Sequence, residues 1–240
     1  SATNDGGIGT LKALGYQFSD ENGQDVGEGG QALERGSSII IEKANPILKE
    51  CSFHIACDVT NPLCGKNGAT YIYGPQKGVT PEIAEELDQA MNHYASVTSK
   101  FLHNDYASAE GAGAAGGLGF AFLSDLNATL TPGIDLILNA VELEKELEDT
   151  DITVTGEGRL DHQTAMGKAP VGVARLAKKY GSKVVAFAGS VTPEATACNA
   201  AGIDAFFPIV RGITTLAEAM DPQNAKSNMT AAVEQVFRLL

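Results

Sequence analysis

The stretch TGEGRLDHQTAMGK, residues 155–168, follows an apolar run at Ile152, Thr153 and Val154 and precedes a helix that opens at Pro170. Strand, glycine loop and helix is the arrangement of an anion site, because parallel strands aim their C-terminal ends at such loops and the next helix offers unpaired N–H groups. Gly156, Gly158 and Gly167 permit close backbone approach, while Glu157, Arg159, Asp161 and Lys168 supply both signs of charge. That mixture suits a metal-bound nucleotide phosphate.

The stretch departs from the common phosphate motifs. A Walker A sequence needs glycine where His162 stands and Ser or Thr where Ala169 stands. A dinucleotide fingerprint starting at Gly156 needs Gly or Ala in place of Asp161, whose carboxylate would repel a pyrophosphate. The bland alternative is a surface turn with solvated charges.

The chain has 240 residues, enough for two ordinary domains, with 30 acidic against 17 basic side chains and a net charge of −13. That balance disfavours a nucleic-acid groove or an anionic membrane surface and favours a small-molecule partner. Lys66, Lys77, Arg159 and Lys168 all stand in or beside glycine-containing loops, where an anionic ligand would need them. Cys51, Cys57, Cys64 and Cys198 form no CxxC pair and are expected to be buried free thiols. No signal peptide or long apolar span is visible, so a cytoplasmic chain is expected.

Residues 6–14 read as a short helix ended by Gly15, and residues 53–58 as a strand displaying Asp58 at its end. Asp58 is either a metal or hydroxyl ligand or an Asx-type cap. Thr80, Pro81 and Glu82 open a long helix to about His103, whose Ile83, Leu87, Met91, Tyr94 and Val97 recur at core spacing. GAGAAGGLG, residues 111–119, contains a literal G-x-G-x-x-G but no strand precedes it, which favours close helix packing or a substrate-facing loop over a dinucleotide site. One or two helices are expected over 132–147.

From Ile152 the pattern becomes strand 152–155, helix 170–180, strand 183–188, helix 193–201, strand 204–209 and helix 222–240. Such alternation implies an α/β fold with a parallel sheet. The reading is two domains, 1–150 and 151–240, with the boundary near residues 149–151. Val154, Val184, Val185, Phe187, Phe206 and Phe207 make these strands apolar on both faces.

SATNDGG at 1–7, ACDVTNPLCGKNGA at 56–69, YGPQKG at 73–78, GAGAAGGLG at 111–119 and TGEGRLDHQTAMGK at 155–168 together resemble the bacterial glycerate kinases that use ATP, in that family's order. The resemblance spans nearly the whole chain. It implies a flavodoxin-like parallel sheet, of which 151–240 is the C-terminal half, and an inserted mixed α/β domain on the substrate side at 1–150. Family members carry a further N-terminal segment, expected to pair beside the strand at 152–155 and complete the nucleotide cleft. Residues 1–240 alone are therefore expected to aggregate or lack kinase activity.

The implied activity is ATP-dependent phosphorylation of glycerate, with 2-phosphoglycerate favoured; ATP and Mg2+ are the cofactors and glycerate and ATP the small-molecule partners. Phosphoryl transfer needs positioning and charge neutralisation. Glu157 and Asp161 are the metal candidates, Arg159 and Lys168 the groups that steady the transferring phosphoryl, and Asp5 or Asp58 the acceptor of the glycerate proton. Ser1, Asn4, Asn61, Lys77, Gly156, Gly158, Gln163 and Gly167 complete the expected binding set. A non-catalytic module sensing an acidic metabolite or nucleotide is the alternative, and monomer and homodimer are both open.

Overall fold

The computed structural model describes residues 2–239 and shows a mixed α/β protein with parallel sheets. The chain divides into two compact units, Ser1–Gly133 and Ile134–Leu240. This division falls before the boundary read at 149–151. The helices Gly133–Ala140 and Leu143–Leu147 follow the C-terminal unit, because Leu143 and Leu147 pack into its core.

The N-terminal unit holds two short sheets. Strands β1 (Gln17–Ser19) and β2 (Ser38–Ile40) pair antiparallel, and β3 (His54–Ala56) and β4 (Thr129–Thr131) pair parallel. Strand β3 is shorter than the 53–58 expectation, so Asp58 stands beyond its end. The helix Pro81–Leu102 opens as its sequence predicts, with Pro81 at its start and Glu82 in the first turn. It buries Leu87, Met91 and Tyr94 at helical spacing. The Tyr94 ring meets Phe18 edge-on at 6.0 Å and Phe120 at 5.4 Å, which joins this helix to β1 and to the helix Ala114–Asp125 in one core.

The C-terminal unit is a three-stranded parallel sheet in the order β5-β6-β7, formed by β5 (Ile152–Leu160), β6 (Lys183–Val191) and β7 (Ala205–Pro208). Helices Ala169–Lys179 and Ala197–Ala200 connect the strands. Central strand β6 is covered on both faces, as its run of apolar residues requires. Val184, Ala186 and Ala188 pack with Leu160, Ala174 and Ile203, while Val185 and Phe187 turn the other way onto Phe207 and Val236. Pro222 starts the final helix, Pro222–Phe237, and Gly181 and Gly202 follow helix ends with φ of +76° and +112°.

Three local expectations change. Residues 155–160 are strand and not loop, because β5 stays in register with β6 as far as Leu160 opposite Val191. A Cβ on Gly156 would stand 2.1 Å from the Phe187 carbonyl, so glycine here serves the close approach of a neighbouring strand. The expected helix at 193–201 is split into a 3-10 turn, Pro193–Thr196, and the helix Ala197–Ala200. Among the thiols, Cys198 is buried, but Cys57 and Cys64 are half-buried and Cys51 is exposed. Val154 is 49% exposed, as befits the edge strand of this sheet.

Candidate active site

In the N-terminal unit, two of the quoted glycine motifs, at 73–78 and 111–119, meet the segment that begins at Ala2. Residues Ala115, Gly116 and Gly117 are consecutively left-handed, which interrupts the helix Ala114–Asp125 near its start. The turn lets the residue 3–6 segment lie directly on it: a Cβ on Gly116 would stand 2.1 Å from the Thr3 carbonyl oxygen, and Gly6 N–H donates to the Gly116 carbonyl at 3.0 Å. The G-x-G-x-x-G run therefore serves close backbone packing.

That packing fixes the candidate residues around the segment. Asn4 donates through Nδ2 to Thr70 Oγ1 at 3.0 Å, and Lys77 Nζ donates to the Thr3 carbonyl at 2.8 Å. Desolvation pushes the Lys77 pKa down and the nearby Asp5 carboxylate opposes it. Asp5 accepts from the amides of Gly7 at 3.1 Å and Gly9 at 3.3 Å. Thr3, Asn4, Asp5, Gly9, Lys12 and Gly27 line a cavity of about 540 Å³.

Asp58 and Asn61 have structural partners of their own. Asp58 Oδ1 accepts from the Gly133 amide at 2.8 Å, the cap-like arrangement weighed from sequence. Asn61 closes the turn behind it, donating to the Asn67 carbonyl at 2.8 Å and accepting from the Tyr73 hydroxyl at 2.6 Å. Ser1 lies outside the described residues.

In the C-terminal unit, the charged residues of 155–168 gather where β5 ends. Asp161 caps the short helix His162–Ala165, its Oδ1 accepting from the amides of Gln163 at 2.9 Å and Thr164 at 3.3 Å. Thr164 completes a capping box by accepting the Asp161 N–H at 3.1 Å, and the same hydroxyl donates to Glu157 Oε1. One fully buried threonine thus ties both metal candidates together. Lys168 Nζ lies 3.8 Å from Asp161 Oδ1 and stands at the N-cap of the helix Ala169–Lys179.

Desolvation works to raise the Asp161 pKa, but the amides of Thr164 and Gln163 and the charges of Lys168 and Arg159 outweigh it and hold the group below its ordinary value. Arg159 also helps to lower the pKa of Glu194, after the Thr192 hydroxyl and the Glu194 amide. Burial raises the Cys198 thiol, and Glu157 and Asp161 add to the shift, so both carboxylates act on one point of the interior. Gly158 and Gly167 have open space around the position of a Cβ, and Gly167 needs glycine for its φ of +111°.

Thr164 and Thr70 were missed by the sequence reading. Thr164 had a usable signal: Asp-x-x-Thr at a helix start is the spacing of a reciprocal cap. Thr70 had none, since its contact with Asn4 crosses 66 positions.

The glycerate kinase family model matches residues 1–240. The chain belongs to the glycerate kinase family. Relatives named for glycerate kinase activity include glycerate 2-kinase of Escherichia coli K12, 47% identical over all of this chain, and glycerate kinase of Bacillus subtilis 168, 45% identical over 92% of it. A crystal structure assigned as glycerate kinase 2 from Salmonella typhimurium LT2 superposes over the whole chain with a TM-score of 0.82 at 42% identity. The chain spans 62% and 58% of those two relatives' lengths and 63% of that structure. Among the described residues, no helix is long and apolar enough to cross a membrane.

Proposed function

We propose that the protein carrying these residues phosphorylates glycerate with ATP, at the 2-hydroxyl, and that the end of β5 binds the metal–phosphate portion of the nucleotide. Family membership over all 240 residues carries the reaction class. The 2-position rests on the name of the Escherichia coli relative.

The carboxylate pair fits Mg2+. The described hydrogen bonds engage Oε1 of Glu157 and Oδ1 of Asp161, leaving Oε2 and Oδ2 for a cation. Among the described residues no cluster of three His, Cys, Asp or Glu side chains could form an all-protein cage. Mg2+ does not require one, since it is held through one or two carboxylates together with water and substrate phosphates. When bound, the ion would neutralise phosphate charge.

The chain's own residues supply the rest. Thr164 fixes the spacing of Glu157 and Asp161. Arg159 and Lys168 place positive charge where the transferring phosphoryl develops negative charge. For the glycerate proton we favour Asp5 over Asp58, because Asp5 lines a cavity and acts on Lys77. Four free thiols suit a reducing cytoplasm.

Phosphorus NMR of glycerate incubated with Mg-ATP and the protein tests the reading. A 2-phosphoglycerate resonance is expected. Nucleotide and glycerate binding by titration without any phosphoglycerate product would instead support a sensing module.

A further inference from the structure

The interior of the N-terminal unit contains an acid that the proposed reaction does not use. Asp125 ends the helix Ala114–Asp125, and both of its carboxylate oxygens are shut off from solvent with no hydrogen-bond partner among the described residues. The neighbouring phenol of Tyr94, 3% exposed, and the hydroxyl of Thr98, 0% exposed, lie one helical turn apart and likewise lack well-formed partners. Tyr16 closes the site from another segment by donating its hydroxyl to the Asp125 carbonyl at 2.9 Å.

A buried carboxylate without donors is among the most costly groups a fold can hold, and the usual response is to neutralise it. Among the described residues, the titratable groups that feel Asp125 are the Tyr16 and Tyr94 phenols, both raised and so neutral at physiological pH. Neither provides a counter-charge. A proton resolves the imbalance by removing the charge and turning one oxygen into a donor with hydroxyl acceptors nearby.

We propose that Asp125 is a proton-binding site, held as the neutral carboxylic acid in the folded N-terminal unit, so that folding takes up a proton near neutral pH. Burial raises its pKa to about 7, against roughly 3.9 for an unfolded aspartate. The folded pKa is the higher one, so the stability is fully present below the unfolded value and is lost as pH rises through the folded value.

The test is urea unfolding of the protein carrying these residues at pH 5 and pH 8, followed by amide exchange in the helix Pro81–Leu102, alongside Asp125→Asn and Asp125→Leu. Between those pH values the wild-type folding equilibrium should fall about 100-fold relative to Asp125→Asn. Infrared difference spectra at pH 6 should show a neutral carboxylic acid band that Asp125→Asn removes. Parallel pH responses, or no such band, would overturn the proposal. If Asp125→Asn fails to fold at pH 5, Asp125→Leu replaces it; failure of both overturns the proposal too, because the site must then need a charge.

Discussion

The two units use glycine and bulk in opposite ways. In the N-terminal unit, glycine at 116 and 117 allows the residue 3–6 segment to lie against a left-handed turn, so atoms absent from side chains shape the candidate site. In the C-terminal unit, a sheet sandwiched between two apolar layers places its charged residues at the strand end, and bulky Val184, Val185 and Phe187 hold it there. The turn at 115–117 should therefore be sensitive to added atoms, and the core around β6 to removed ones.

The largest expected effects probe that contrast. Phe187→Ala removes a ring that is 2% exposed and packs on Phe207, and should cost about 3–5 kcal/mol in urea unfolding of the C-terminal unit. Gly116→Ala should cost about 2–4 kcal/mol in the N-terminal unit, from the left-handed backbone and the overlap with Thr3. Residue-resolved hydrogen exchange should localise each loss to its own unit; loss spread equally over both would break the contrast.

Arg159→Ala and Lys168→Ala should lower kcat about 100-fold, the scale of losing one transition-state charge donor. Their melting temperatures should stay near that of the wild type, because both side chains are exposed and an exposed cation contributes little stability. Equal loss of melting temperature and turnover would reassign them to structure. Thr164→Val should cost about 1 kcal/mol as a lost cap and should also raise the Mg2+ requirement, whereas Thr164→Ser, which keeps the hydroxyl, restores it.

Legibility in the sequence followed the same division. Helix starts at Pro81 and Pro222 and the glycines after helix ends were readable because they are local. The strand character of 155–160 was hidden by Gly156 and Gly158, which signal a loop until β6 is known to pair alongside. The convergence of Asn4, Thr70, Lys77 and Gly116 depends on long-range contacts that no local pattern encodes. Asp125 was hidden because its burial depends on long-range packing, Tyr16 closing over it from 109 positions away.

The most direct test of the account is a Mg2+ titration of glycerate kinase activity, at fixed ATP, in the protein carrying these residues, with Glu157→Gln and Asp161→Asn beside the wild type. Each variant removes one anionic oxygen donor from the proposed cation site, so half-maximal activity is expected at higher Mg2+ with the fold intact. Superimposable titrations for all three proteins would contradict it and remove the end of β5 from the metal site.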